Sequence, residues 1–485
     1  MFFRSLLTVL LSLCVLCAAQ TKDTAGAPQQ AEKLFRSVDQ ILAFASKDTG
    51  FAVLHPVQRR FTNRTEVEQY LRRSVSENRN SARLRRSEEV LKKFGLLPSA
   101  FQLETFLVAL NREQVAGYYD DKAKYVNLLD WVEPDVQEPV LAHELTHALQ
   151  DQSFDLQKWL VKDSDFDPTD VPTPTPTDIQ NDERTTARQA LAEGQAMVVL
   201  LDYMLAPSKQ SLLGSPKLLD QLKQGMLVNS ADSPLFNTAP AFLRQVLTFP
   251  YTYGAAFVAE VAAERGKDRA FAGSMRDPPL NSRQIMEPQT YLAGEQLPPM
   301  PLPNFSEDLK DYDRFDIGAV GEFDSALLIE QYAGGDASKR LYPRWRGGYY
   351  YAAKVKNDRA APLSLFYLSR WADTQSAAEF AAVYARGIPE RYHRAHEVDS
   401  AIPPAKNNPE AARGSMSAAS ALEHPGPLAA PSPKPAFPVL SGTHSWLTET
   451  GPVVIEVHEA FVLITEGLDQ PSGERLAREV FSKGN

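Results

Sequence analysis

The residues best suited to chemistry in this chain are His143-Glu144-Leu145-Thr146-His147. Two histidines four positions apart lie one above the other on one face of a helix, so both imidazoles can reach a single ion. Glu144 lies beside that face, where its carboxylate can reach a metal-activated water without becoming a ligand. This arrangement of two ligands and a general base is typical of zinc hydrolases. The pentad therefore predicts a hydrolytic zinc centre.

An alternative interpretation of the pentad is an ordinary amphipathic helix that carries two histidines by chance. The flanking residues favour the metal site. Pro139 stands near the predicted start of the helix, where its missing N–H costs nothing, and apolar residues recur at helical spacings. These apolar residues are Val140, Leu141, Leu145 and Leu149. The run 138–150 therefore predicts a half-buried helix whose histidines face inward.

A catalytic zinc ion generally takes three protein ligands and keeps a fourth position for water, so one more ligand is needed. The class of zinc hydrolases whose three ligands are all histidines would require glycine at position 150 and histidine at position 153. This chain has Gln150 and Ser153, which excludes that class. The other large class of these zinc hydrolases takes its third ligand, a glutamate, from a second helix further along the chain.

A helix predicted over 182–204 offers Glu193 and Glu183 as the third ligand. Small residues at 190–196 surround Glu193 and would let its helix approach the metal helix closely. A carboxylate buried among Ala, Leu and Gly is costly without a partner, and a zinc ion would provide one. Glu193 is therefore the preferred ligand. A solvent-exposed Glu193, with Glu183 as the ligand, remains the alternative.

With these motifs the chain resembles gluzincin-type HExxH zinc metallopeptidases, and more narrowly a group of uncharacterised secreted bacterial metallopeptidase-like proteins. The similarity lies in the metal helix at 143–152 and an Ala-Leu-x-Glu-Gly segment at 190–194. It extends to 117–120, 251–254 and 277–279, and so covers about 111–300. The resemblance implies a peptide or protein substrate and a zincin-like catalytic domain.

By that resemblance, His143, His147 and Glu193 bind Zn²⁺ and Glu144 is the general base. Gluzincins place an aspartate four residues after the glutamate ligand to orient a histidine, whereas this chain has Met197 there. Another carboxylate would have to orient the histidine. Asp151 and Asp155, near the end of the metal helix, are candidates, or they simply terminate the helix.

The oxyanion that develops during hydrolysis needs a hydrogen-bond donor besides zinc. The chain has no histidine between positions 148 and 392, so a tyrosine is the candidate donor. Tyr251 and Tyr253 follow Pro250 at what the sequence suggests is a helix start. The alternative for either tyrosine is aromatic packing.

Residues 113–129 predict a β-hairpin with a polar turn at 120–122, directly before the metal helix. In zinc peptidases the strand before that helix is typically a sheet edge that pairs with an extended peptide. The hairpin is therefore a candidate for recognition of the substrate backbone. An ordinary core hairpin is the alternative.

The 485 residues are too many for one ordinary core and predict two or three domains. We expect an α+β protein with a mainly helical zincin-like catalytic domain over 111–305 that contains a small antiparallel sheet. A helical N-terminal region covers 28–110 and is either a subdomain or an inhibitory pro-segment. An α+β C-terminal domain covers 315–485, with a disordered Pro/Ala/Ser-rich insertion at 402–437.

The first 19 residues predict a signal peptide, with Arg4 before an apolar stretch and small residues before the cleavage point. Both cysteines, Cys14 and Cys17, lie inside it, so His, Asp and Glu are the strong metal ligands left in the mature chain. We expect a secreted or periplasmic protein with no stable membrane anchor after cleavage. The net charge of −10 argues against a nucleic-acid partner.

Three functions are compatible with these predictions. The first is a secreted zinc metallopeptidase. The second is a zinc hydrolase that acts on another amide or an ester, because a metal site does not name the bond. The third is a non-catalytic exported binding protein with a structural zinc site. Glu144 argues against the third, because a structural site needs no base beside its first ligand.

Overall fold

A computed structural model describes residues 27–76, 78–115, 117–161, 169–215, 218, 233–358, 360–398 and 439–483. The predicted signal peptide at 1–19 and the predicted disordered insertion at 402–437 lie outside these residues. Within them, no helix combines the length and the apolar character needed to cross a membrane. The chain folds as an α+β protein, as the sequence predicts.

The N-terminal region is mainly helical and contributes one strand. Its elements are α1 (Ala27–Thr49), β1 (Gln58–Thr62), α2 (Arg64–Ser76), α3 (Asn78–Lys93) and α4 (Leu103–Gln114). Helix α1 buries an apolar face that contains Leu34, Val38 and Ile41 and packs on the metal helix. The segment after α1 is held by Gln152, whose side-chain oxygen accepts hydrogen bonds from the backbone N–H groups of Leu54 and His55.

The central region contains the predicted hairpin and the two long helices that carry the candidate ligands. Its first elements are β2 (Tyr118–Asp120), β3 (Tyr125–Leu129), α5 (Pro134–Phe154), α6 (Leu156–Val161) and α7 (Pro176–Leu205). They are followed by α8 (Pro234–Thr238), α9 (Ala241–Arg265), a π-helical turn (Arg269–Gly273), α10 (Ser274–Arg276), α11 (Ser282–Met286) and α12 (Pro288–Leu292). Short 3₁₀ turns cover Ala206–Ser208 and Leu212–Gly214.

Strands β2 and β3 pair in antiparallel fashion, with Tyr119 opposite Val126, which confirms the predicted hairpin. The small sheet is not purely antiparallel as predicted, because β1 pairs with β3 in parallel. The strand order is β1-β3-β2, so β2 forms an edge of this sheet. A strand from the N-terminal region thus completes the sheet that lies beside the metal helix.

The metal helix α5 begins at Pro134, five residues before Pro139, so Pro139 lies inside the helix and not near its start. Proline removes an N–H that would otherwise bond within the helix. The Gln137 side chain secures the first turns instead, because it accepts a hydrogen bond from Leu129 N and donates to Leu129 O and Val132 O.

The C-terminal region is built on a seven-stranded antiparallel sheet of order β4-β5-β6-β10-β9-β8-β7. Its strands are β4 (Tyr312–Ala319), β5 (Trp345–Val355), β6 (Ser364–Trp371), β7 (His396–Val398), β8 (Gly442–Thr448), β9 (Gly451–His458) and β10 (Phe461–Glu466). Its helices are α13 (Phe305–Asp308), α14 (Glu322–Ala333), α15 (Gly335–Leu341), α16 (Thr374–Arg386), α17 (Ile388–Arg391) and α18 (Gln470–Lys483), with a 3₁₀ turn at Tyr342–Arg344.

Alternate residues of strand β5 enter two different cores. Tyr349 and Tyr351 join the core beneath α18, whereas Tyr350 joins the large core that also contains buried residues of α1, α5, α7 and α9. This alternation follows from the period of two in a strand. The C-terminal sheet therefore shares a continuous core with the central region and the N-terminal helices.

Candidate metal centre

His143 and His147 on α5 meet Glu193 on α7 in the interior of the protein. Their exposed fractions are 1%, 2% and 2%. His143 Nε2 lies 3.1 Å from both Glu193 Oε2 and His147 Nε2, and His147 Nε2 lies 3.4 Å from Glu193 Oε2. Three potential ligand atoms therefore form a nearly equilateral triangle. The cluster could hold a metal ion.

The size of this triangle fits a tetrahedral ion. Zinc bonds to nitrogen and oxygen of about 2.0–2.2 Å place neighbouring ligand atoms roughly 3.3–3.5 Å apart. The observed edges of 3.1–3.4 Å are close to that range. A carboxylate oxygen and two neutral imidazole nitrogens that converge in this way can direct three lone pairs at one cation. The donor set therefore fits a divalent metal ion.

Burial and the neighbouring charges shift the pKa of each residue in the cluster in opposite directions. Burial raises the pKa of Glu193, but the neighbouring His147 and His143 lower it to about 2. Burial lowers the pKa of His147, but the Glu193 carboxylate raises it to about 9. Burial holds the pKa of His143 below its ordinary value, against the effect of Glu193. Glu193 is therefore the anionic member of the cluster.

Glu144 is fully buried beside the cluster. Its Oε2 accepts a hydrogen bond of 2.7 Å from the backbone N–H of Tyr119 in the edge strand β2. Its Oε1 is buried and has no hydrogen-bond partner among the described residues. Burial raises the pKa of Glu144 to about 8, although His147 and the Tyr119 N–H act in the opposite direction. One carboxylate oxygen is thus anchored and the other is available to accept a proton.

The hydrogen-bond partner of His147 is an amide and not the carboxylate that the sequence suggested. His147 Nδ1 lies 2.8 Å from Gln150 Oε1. Asp151 instead binds the Tyr119 hydroxyl, Lys124 and the backbone N–H of Leu156. The residue Asp155 has a left-handed backbone and ends α5, as the alternative prediction held. No sequence signal distinguished Gln150, because an amide can serve as donor or acceptor.

Glu183, the other candidate ligand, lies ten residues before Glu193, which corresponds to about 15 Å along α7. Its Oε2 accepts hydrogen bonds from the backbone N–H and the hydroxyl of Ser282, at 2.9 and 2.6 Å. The structure therefore brings Glu193 to the histidines and leaves Glu183 in a separate buried contact.

The two candidate tyrosines occupy different surroundings. The buried ring of Tyr251 lies near His143, with a centroid distance of 6.1 Å. The ring of Tyr253 packs against Phe249 and Phe323. Both lie within α9, because the helix runs through Pro250 and does not begin after it. Of the two, the structure places Tyr251 beside a candidate ligand.

Helices α7 and α9 cross in backbone contact next to Glu193. A Cβ atom on Gly194 would lie 2.2 Å from the carbonyl carbon of Gly254, and one on Gly254 would lie 2.0 Å from Ala190 O. Real Cβ atoms do not approach other heavy atoms this closely. Glycine at both positions therefore lets α9 approach α7 at the turn that presents Glu193.

Replacing Gly254 with alanine is expected to destabilise the protein by about 1–3 kcal/mol or more, because the clash is with backbone that cannot rotate away. Urea unfolding would measure this loss. Metal content should fall as well, since Glu193 adjoins the displaced contact. Gly335→Ala is a matched control, because a Cβ there meets nothing within 4 Å. Wild-type stability in Gly254→Ala would contradict the tight crossing.

Comparisons with known proteins add little to this geometry. No protein-family model matches the chain, and no curated protein matches it. One similar solved structure is a protein from Chloroflexus aurantiacus described as a candidate hydrolase with a novel fold. It is 17% identical, with a TM-score of 0.33, and the match covers 61% of this chain and 98% of that chain.

Proposed function

We propose that this protein is an exported zinc-dependent metallopeptidase that hydrolyses peptide bonds with Glu144 as general base. The observation that carries the proposal is the buried triangle of His143, His147 and Glu193 beside a carboxylate oxygen of Glu144 that has no partner among the described residues. A site that only held the fold together would not need this carboxylate.

Each protein group has a separate task in this proposal. Zinc bound to the triangle supplies a Lewis acid that polarises the scissile carbonyl and activates water. Glu144 Oε1 takes a proton from the attacking water and passes it to the leaving amine. Its Oε2 stays on Tyr119 N, which fixes the direction of the free oxygen. Tyr251, whose ring lies near that of His143, is the tyrosine proposed to donate a hydrogen bond to the reacting carbonyl.

The edge strand β2 is the proposed support for the substrate backbone. It forms one side of its sheet, and the Tyr119 N–H that binds Glu144 places the strand beside the candidate centre. An extended peptide can add to such an edge through main-chain hydrogen bonds. An ester or a small amide lacks the repeated backbone groups that this edge would recognise, so peptide hydrolysis is preferred over those reactions.

The test combines metal analysis of the purified mature protein with hydrolysis of a mixed peptide library. We expect about one zinc ion per chain and cleavage that a chelator abolishes and added zinc restores. Zinc without cleavage of peptides, amides or esters would favour the non-catalytic alternative. Cleavage of esters or small amides alone would favour the other hydrolases.

The ligand assignment has its own matched pair of variants on α7. Glu193→Gln should lose most of the bound zinc, because an amide is a poor ligand in place of the carboxylate. Glu183→Gln should keep its zinc, since Glu183 contacts Ser282 and not the histidines. Measuring zinc per folded chain in both variants tests the assignment. The reverse result would move the ligand to Glu183.

A further inference from the structure

A chain of two buried amides extends from His147 into the neighbouring helices. Gln150 Oε1 lies 2.8 Å from His147 Nδ1, and Gln150 Nε2 donates to Ala192 O and to Gln195 Oε1, both at 3.0 Å. Gln195 Nε2 in turn donates to Ala270 O at 2.9 Å and Phe271 O at 3.1 Å, in the π-helical turn. Neither glutamine has solvent exposure.

The direction of this chain is fixed by backbone carbonyls, which accept hydrogen bonds and cannot donate them. The carbonyls of Ala270 and Phe271 require the NH₂ group of Gln195 on their side, so the oxygen of Gln195 faces Gln150. This oxygen and Ala192 O then require the NH₂ group of Gln150. The oxygen of Gln150 is left to face His147. Only one orientation of each amide satisfies every contact.

The fixed orientation selects one tautomer of His147. Because Gln150 presents an acceptor, Nδ1 must carry the proton and donate it. The lone pair of the neutral ring is then on Nε2, the atom that faces Glu193 and His143. His143 differs, since its buried Nδ1 has no hydrogen-bond partner among the described residues. Of the two histidines, His147 is the one whose tautomer these contacts determine.

We propose that Gln150 and Gln195 form an amide relay that positions His147 as a metal ligand, in the place where a carboxylate would otherwise serve. The proposal rests on the metal site of the proposed function. Both residues are positioning residues, because they act on the ion through His147. A neutral amide fixes the ring without adding negative charge near the ion, so the ion keeps more of its Lewis acidity than it would beside a carboxylate.

The test measures zinc affinity by competition with a fluorescent chelator, independently of any enzymatic activity. Gln150→Leu is expected to weaken zinc binding by about 10- to 100-fold, the usual effect of removing a group that orients a ligand. The Gln195 side chain acts on His147 only through Gln150. Gln195→Leu should therefore weaken zinc binding by a smaller factor, because it frees the Gln150 amide to rotate. This second variant keeps the test valid if Gln150→Leu does not fold.

Two further variants separate positioning from general packing. Gln150→Glu keeps an acceptor for Nδ1–H and should bind zinc at least about ten-fold more tightly than Gln150→Leu. Gln152→Leu removes a different amide of the same helix, one that accepts hydrogen bonds from the backbone N–H groups of Leu54 and His55. This variant should leave zinc affinity unchanged. In nitrogen-15 NMR of the zinc form, the His147 Nδ1–H signal should persist in Gln150→Glu and exchange rapidly in Gln150→Leu.

The measurements distinguish an error in the relay proposal from an error in the metal-site proposal. If the wild type binds zinc and folded Gln150→Leu and Gln195→Leu bind it equally tightly, the relay is wrong and the metal site stands. If the His147 Nδ1–H signal of the zinc form exchanges as slowly in Gln150→Leu as in the wild type, Gln150 does not hold that proton and the relay is again wrong. A wild-type protein that binds no zinc overturns both proposals.

Discussion

Glu144→Gln is expected to lower the rate of peptide hydrolysis by about 10²- to 10⁴-fold, the usual contribution of general acid–base catalysis. An amide oxygen at this position can still accept the hydrogen bond from Tyr119 N, so the local structure is preserved. The amide cannot take a proton from water near neutral pH. The loss should therefore appear in kcat, while zinc content stays at the wild-type level.

Glu138→Gln is the matched control for this experiment. It makes the same chemical change on the same helix, but its carboxylate lies beside the hydroxyl of Tyr203 and not beside the candidate ligands. Its hydrolysis rate should equal that of the wild type. Full activity in Glu144→Gln, with activity still dependent on zinc, would assign the proton transfer to another group and remove the basis for Glu144 as general base.

The second large effect is expected outside the candidate metal centre, at Glu466 in β10. This fully buried carboxylate accepts hydrogen bonds from the hydroxyls of Tyr384 and Tyr392 and pairs with Arg391 at 2.8 Å and Lys93 at 3.5 Å. Glu466→Gln keeps the shape but leaves two buried cations without a counter-ion. Removing one member of a buried ion cluster typically costs about 3–5 kcal/mol. Urea unfolding at neutral pH would measure the loss.

The pH dependence of this stabilisation has a defined sign. Burial raises the pKa of Glu466, but Arg391 and Lys93 outweigh burial and hold it below its ordinary value of 4.5. The folded protein therefore binds this proton less readily than the unfolded chain. The stabilisation is present above about pH 4.5 and is lost as the pH falls through the lower folded-state pKa.

The stability difference between wild type and Glu466→Gln should therefore shrink in acid. Glu474→Gln provides the surface control, because the exposed Glu474 pairs with exposed Arg478 at 3.8 Å and accepts a hydrogen bond from Gln470 at 2.9 Å. Exposed pairs contribute little to stability, so this control should unfold like the wild type at each pH. A difference between wild type and Glu466→Gln that stays constant from neutral to strongly acidic pH would contradict the assignment to the charge of Glu466.

This ion cluster also explains how the N-terminal helices are joined to the C-terminal sheet. Arg391 donates to the backbone carbonyl of Lys93 at the end of α3, and the Tyr332 hydroxyl donates to the carbonyl of Phe94. Loss of Glu466 should therefore weaken both regions together. The sequence showed Lys93 and Glu466 only as two charged residues in separate predicted regions.

The candidate metal ligands could be predicted because local patterns encode their positions. The spacing of His143 and His147 requires only a helix, and the small residues around Glu193 indicate a close helix contact. The structure brings these three side chains together. The hairpin before the metal helix was also predictable, since its two strands are separated by a short polar turn.

Other features depend on contacts between distant residues, which no local pattern reveals. Strand β1 pairs with β3 in parallel, and its Arg60 binds Asn127 across 67 positions of the chain. Gln150 gave no signal because its role depends on which carbonyls surround it. Pro139 suggested a helix start, yet the preceding residues from Pro134 onward are helical because Gln137 secures them against β3.

The depth of the His143, His147 and Glu193 cluster has a kinetic consequence. Side chains that are 1–2% exposed leave little of the cluster in direct contact with solvent. Transient opening of the surrounding helices would speed the departure of an ion bound there, so its residence time depends on local opening of the fold as well as on the strength of its bonds. The tight contact of Gly194 with Gly254 adjoins one of the three ligands and would resist that opening. Slow exchange of the ion would then reflect the rigidity of the helix crossing.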